Sequence, residues 1–257
     1  MRRRKWFWRA LSGAALLTGL AFGGAAPSLA VVGPSSPAGE IAGKIVMVLT
    51  RGAEGAGYCS GIALSSRVIL TAAHCVREPG DIRIYDKAAS GGAALVEVAR
   101  VEAHPLYRPA APRRRIVSID LALLQTKAPL SGAFAAPRWR EDGDIAIGEE
   151  LILVGYGVAR EGEAQTGGVL RLARLQAQAP LSKILLWAAS SAGSAACGGD
   201  SGAPIFAADG ETLLAIVAWT QGKAGRHCGA LTQGALVRQQ RGWVGSTMEA
   251  WGEKAPF

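Results

Sequence analysis

From Val31 onward the apolar residues come in short runs, several alternating with polar positions, and Gly, Pro, Asp and Ser fall between the runs. The runs are KIVMVLT (44–50), GIALSSRVILTAA (61–73), DIRIYD (81–86), ALVEVARVEA (94–103), LALLQT (121–126), ELILVGYG (150–157), LRLARLQAQ (170–178), APIFAA (203–208) and TLLAIVAWT (212–220). Period-two alternation buries one face of a strand, and turn residues at this spacing are those of an all-β chain. No helical period is sustained before the tail, where RGWVGSTMEAWGE (241–253) predicts a final helix with Trp243 and Trp251 against the body. A polar, Pro-containing stretch near mid-chain separates the runs into two groups. The expected organisation is a β unit over 31–128, a linker over 129–145, a second β unit over 146–240, and a helix or tail over 241–257.

The first thirty residues follow another pattern. MRRRKWFWR is basic, ALSGAALLTGLAFGGAA is apolar, and PSLA ends on small residues, which is the order of a cleaved export signal. The apolar run is short for a bilayer span and is interrupted by Gly13, Gly19, Gly23 and Gly24. A signal peptide over 1–30 is therefore expected, with a secreted or periplasmic product and no stable membrane anchor after cleavage. Losing Arg2, Arg3, Arg4, Lys5 and Arg9 with no acid takes the formal charge from +8 to +3. The basic balance belongs largely to targeting and does not point to nucleic acid. With 257 residues, 49% apolar and 19% charged, the chain can bury one large core or two modest ones. Four cysteines suit two disulfides in an exported chain.

SAACGGDSGAPIF (194–206) sets Ser201 on a nearly bare backbone after Gly199 and Asp200. Gly-Asp-Ser-Gly is also ordinary turn chemistry, so this stretch alone decides little. VILTAAHC (68–75) places His74 after an apolar strand, and VSIDLALLQT (117–126) places Asp120 in an apolar run. A carboxylate in such a run needs a partner, because burying an unpaired charge costs several kcal/mol or more. His74 is a suitable one, and His, Asp, Ser is one of the chain orders of hydrolytic triads. The bland readings are a core histidine, a metal ligand beside Cys75 and a turn-capping Asp120. No spaced Cys/His set supports zinc, so neither a metal nor a cofactor is expected. His104 and His227 read as bystanders.

TAAHC, DLALL and GDSGAP stand in order, with HPLY (104–107) and VGYG (154–157) as weaker matches. On these motifs the chain resembles the chymotrypsin family of serine proteases over nearly all of its length beyond residue 30, as an exported member of bacterial type. The resemblance implies two packed six-stranded antiparallel β-barrels with a C-terminal helix and the site in the cleft between them. It implies a serine endopeptidase in which Ser201 attacks the scissile carbonyl, His74 carries the proton, and Asp120 holds the imidazole. The backbone N–H groups of Gly199 and Ser201 would form the oxyanion hole, and the disulfides would be Cys59–Cys75 and Cys197–Cys228.

Several positions depart from the family pattern. Family trypsins carry Asp six residues before the nucleophile, whereas this chain has Ala195, then Ala196. With Trp219 and Thr220 on one wall, and Gly234 opposite by counting past Cys228, the resemblance implies a shallow apolar pocket for small or medium apolar residues. Ala218 stands where the family carries a Ser that touches the triad Asp, and water or Thr71 is a candidate to compensate. Arg113, Arg114 and Arg115 would border the non-prime subsites, as a solvated loop or as a contact for acidic substrates. Val31 would follow signal cleavage directly, and its new ammonium would pair with Asp200. Protein or peptide substrates are the implied partners, with an inhibitor protein as a further candidate. Two other functions stay open: a weakly catalytic family member serving as a binding module, and an esterase using the same triad.

Overall fold

The computed structural model describes residues 31–52, 55–76, 81–87, 92–114, 116–131 and 136–257. The expected signal peptide, Arg115 and the side chain of Arg113 lie outside the described residues. The first barrel is closed in the order β2-β3-β4-β7-β6-β5. Its strands are β2 (Ile45–Gly52), β3 (Gly55–Ala63), β4 (Val68–Thr71), β5 (Asp81–Lys87), β6 (Ala93–Ala103) and β7 (Ala122–Thr126). Val46, Val48, Ile69, Ile84 and Leu124 fill it.

The second barrel uses β9 (Glu150–Gly155), β10 (Arg171–Ala177), β11 (Leu185–Ala189), β12 (Pro204–Ala207), β13 (Thr212–Gly222) and β14 (Gly229–Leu236). They run in the order β10-β11-β14-β13-β12-β9, and pairing of β9 with β10 closes the ring. Strand β10 shows why: Ala173, Leu175 and Ala177 turn inward while Arg174 and Gln176 face out. Two-residue strands add β1 (Ser36–Pro37) to β10 and β8 (Arg138–Trp139) to β13. The strands of the first barrel thus begin at Ile45, and residues 31–37 lie on the second barrel instead.

A third core joins the barrels. Ile62, Leu64, Leu70, Leu121 and Leu123 from the first meet Trp139, Ile152, Val154, Phe206 and Ile216 from the second. This explains the unbroken burial of Leu151 to Gly155 in β9, which faces its own barrel on one side and the junction on the other. The C-terminal helix, Arg241–Ala250, buries Val244 and Met248 in the same junction, with Trp243 and Trp251 packed against it. Among the described residues no helix is long and apolar enough to cross a membrane.

Candidate active site

Strands β4 and β7 bring His74 and Asp120 together. Thr71, the last residue of β4, pairs with Ala122, the first of β7. His74 follows Thr71 in a single 3-10 turn, Ala73–Cys75, and Asp120 precedes Ala122, so both stand at one end of adjacent strands. The Asp120 carboxylate grips His74 twice. Oδ1 accepts from the His74 backbone N–H at 2.9 Å, and Oδ2 lies 2.6 Å from Nδ1. With Nδ1 donating to a carboxylate, a neutral ring presents Nε2 as a proton acceptor.

Ser201 comes from the second barrel and is clamped to the first by Ser60. Ser60 N donates to Ser201 O at 2.8 Å, while Ser60 Oγ donates to Gly199 O at 2.9 Å and accepts from Tyr156 N at 3.0 Å. Ser60 adjoins Cys59, which is bonded to Cys75, the neighbour of His74. One disulfide and one buried serine therefore hold the two halves of the site in register. No motif marks Ser60, because its role exists only between barrels. Gly202 is required at this seam: a Cβ there would lie 2.1 Å from Thr71 Oγ1 and 2.2 Å from Ser60 O. Thr71 itself donates to Ser60 O at 2.8 Å, so it does not replace the hydroxyl missing at Ala218. No hydrogen bond joins His74 Nε2 to Ser201 Oγ; Nε2 lies 3.8 Å from Cys75 Sγ. Cys59, His74 and Cys75 bring potential ligand atoms within 4.8 Å, but both sulfurs are tied up in the disulfide and offer no thiolate.

Gly199 has φ +93°, and a Cβ on it would sit 2.3 Å from Tyr58 Cε2. Conformation and space both demand glycine. Gly199→Ala is expected to misplace the N–H it carries and lower kcat on a peptide amide by about 100- to 1000-fold. A kcat within threefold of the parent would contradict the expectation that Gly199 N–H lines an oxyanion hole.

Asp200 is wholly buried. Its carboxylate accepts from Gly157 N at 2.8 Å and Cys197 N at 2.9 Å, and no cationic side chain among the described residues pairs with it. Desolvation raises its pKa to about 7, against the lowering by those two N–H donors. The VGYG stretch makes this cradle, since a Cβ at Gly155 or Gly157 would lie 2.2 or 2.1 Å from the carboxylate oxygens. Val31 is also fully buried, in the second-barrel core with Ala196 and Ala203, and has φ +70°. A β-branched residue in that region is strained.

The residues expected to line a substrate pocket lie as follows. Ala195 and Ala196 are fully buried, held by Ala195 N donating to Val32 O at 3.1 Å and Ala196 N donating to Thr232 Oγ1 at 2.9 Å. Trp219 is 43% exposed, and Thr220 Oγ1 donates to His227 O at 2.9 Å. Gly234 is not the opposite wall. It pairs with Val217 and faces the core, where a Cβ would lie 2.9 Å from Ala215 Cβ, while Thr232 pairs with Thr220. Counting from Cys228 failed because the register between β13 and β14 shifts twice, at Val217/Trp219 and at Gln221/Gly222. The second disulfide, Cys197–Cys228, anchors this wall beside the Ser201 turn. A cavity of about 250 Å³ lined by Leu185, Leu186, Leu214 and Leu236 includes none of these site residues.

The Trypsin family model matches residues 31–239. Mouse (Mus musculus) Kallikrein-8 is 25% identical over 206 residues, covering 74% of this chain and 77% of its own. Trypsin eta of Drosophila erecta is 28% identical over 232 residues, covering 81% and 86%. Among solved structures, a scabies mite inactivated protease paralogue superposes with a TM-score of 0.68 at 20% identity, covering 85% of this chain and 99% of its own. These relatives are animal proteins, so they give the expected bacterial type no support. Two β-barrels, the two disulfides and a family match over residues 31–239 lead to one conclusion: the chain belongs to the Trypsin family of serine endopeptidases.

Proposed function

We propose that the chain is an exported endopeptidase in which Ser201, His74 and Asp120 cleave peptide bonds after small or medium apolar residues. The observation that carries this reading is the double grip of Asp120 on His74, through Nδ1 at 2.6 Å and the backbone N–H at 2.9 Å. His74 Nε2 takes the Ser201 proton as Oγ attacks the scissile carbonyl. The resulting imidazolium is stabilised by Asp120 and returns the proton to the leaving amine. The N–H groups of Gly199 and Ser201 receive the developing oxyanion. Hydrolysis of matched peptide amide and ester substrates by the parent and by Ser201→Ala tests the reaction. Amide cleavage that disappears in the variant is expected. Cleavage of the ester alone would make the chain an esterase, and unchanged amide cleavage by the variant would refute the assignment.

Specificity follows from the pocket. Ala195 and Ala196 offer no anion to a substrate ammonium or guanidinium, and an unpaired buried cation is costly. Thr220 and Thr232, paired across the wall, narrow it. A peptide-library profile is expected to show cleavage after Ala, Val, Thr or Leu, and preferred cleavage after Arg or Lys would overturn this reading. Ala195→Asp alone should not create an efficient Arg/Lys protease, because both threonines remain.

A further inference from the structure

The loop between β9 and β10 carries a carboxylate, Glu161, that none of the roles above uses. It is braced from within: Ala159 N and Arg160 N each donate to Thr166 Oγ1 at 3.1 Å, and Thr166 Oγ1 donates to Glu163 O at 2.7 Å. It is fixed to the Ser201 turn by Val158 N donating to Gly198 O at 2.8 Å. From this frame Glu161 reaches the loop that joins β13 to β14. Its Oε1 accepts from His227 N at 2.6 Å, and its Oε2 accepts from Cys228 N at 3.4 Å. The first of these donors is the main contribution holding the Glu161 carboxyl below its ordinary range. Arg226 adds only a flanking contact at 3.6 Å from a largely exposed side chain.

The receiving loop is part of the pocket wall. Its His227 carbonyl accepts from Thr220, and Cys228 is bonded to Cys197 at the base of the Ser201 turn. Both N–H groups taken by Glu161 flank that wall, and a carboxylate can accept both where a shorter or apolar side chain cannot. We propose that Glu161 is a positioning residue for substrate binding, latching the wall at His227–Cys228 to the β9–β10 loop so that a peptide meets a preformed pocket. The proposal rests on the proteolytic reading for its kinetic consequence, but not for its structural one.

The test compares Glu161→Ala, Glu161→Gln and Arg226→Ala in the chain beginning at Val31. Steady-state kinetics use a tetrapeptide anilide with Ala before the scissile bond, and a small fluorophosphonate probes Ser201 without needing the wall. Glu161→Ala is expected to raise KM about tenfold or more while the labelling rate stays within about threefold. Glu161→Gln, which keeps an acceptor but loses the charge, should fall between it and the parent. Arg226→Ala should stay within about twofold. Hydrogen exchange supplies a readout independent of activity: the His227 and Cys228 amides should be protected in the parent and lose protection in Glu161→Ala. Unchanged KM, or KM, kcat and labelling failing together, or Arg226→Ala matching Glu161→Ala, would overturn the latch. So would unchanged exchange. A parent that never labels would instead count against the proteolytic reading, and exchange would still decide the latch.

Discussion

Asp120→Asn is expected to lower kcat on a peptide amide by about 10⁴-fold at neutral pH without unfolding the chain. The geometry explains why so small a change should be so costly. Oδ1 of Asp120 accepts from the His74 backbone N–H, and Oδ2 faces Nδ1. An asparagine must keep its oxygen toward the backbone donor, which turns its NH₂ toward Nδ1. The ring then has to accept at Nδ1 and carry its proton on Nε2, where it cannot take one from Ser201. The backbone bond survives, so thermal stability should change little. Circular dichroism melting beside steady-state kinetics checks both halves. A kcat within tenfold of the parent would show that Asp120 does not set the His74 tautomer.

The second large effect concerns the start of the chain. Asp200 has no cationic partner among the described residues and a pKa raised to about 7. Cleavage before Val31 would create an ammonium at a residue already buried in the second-barrel core. It would also abolish the +70° torsion, because a terminal residue has no preceding peptide to define φ. We expect an enzyme beginning at Val31 to exceed one with a single extra residue by about 100- to 1000-fold in kcat/KM, the range for losing an oxyanion donor. Pairing of that ammonium with Asp200 should keep an enzyme beginning at Val31 active at neutral pH, with activity falling in alkali as the amine deprotonates.

The extended form carries its own signature. Because the folded pKa of Asp200 lies above its ordinary 3.8, the protonated group contributes stability below that value, and the contribution is lost as pH rises through about 7. The Asp200 contribution to an extended chain should therefore fall by about 3 kcal/mol between pH 4 and 7, and that of the chain beginning at Val31 should not. Urea unfolding of both forms at the two pH values measures this. Equal activity and parallel pH profiles would show that the Val31 amine does not pair with Asp200.

His74, Asp120 and Ser201 were legible as candidates because each sits in a local motif that the sequence itself displays. Ser60, Thr232 and Glu161 were not, since each acts across chain separations that periodicity does not encode. The strand runs were legible where one face is strongly apolar, as in β9 and β10. Strand β14 carries no hydropathy signal because GALTQGAL is mostly small residues, and Gly234 is silent in such a pattern although it packs under Ala215. LLWAA in β11 has no alternation to distinguish a strand from a buried helix. The run 61–73 appeared as one segment, but the chain turns between β3 and β4. Ser65 Oγ accepts there from Arg67 N and Val68 N, both at 3.1 Å, making a side-chain turn that hydrophobicity does not reveal. Two-residue strands such as β1 and β8 are too short to carry a pattern.

If the chain is a working protease, Ser201 is its nucleophile. Incubating the chain that begins at Val31 with a biotinylated fluorophosphonate, then mapping the adduct by mass spectrometry, tests it most directly. One adduct is expected, on Ser201, lost in Ser201→Ala and strongly slowed in His74→Ala. No adduct on the parent, or an adduct that persists in Ser201→Ala, would contradict it.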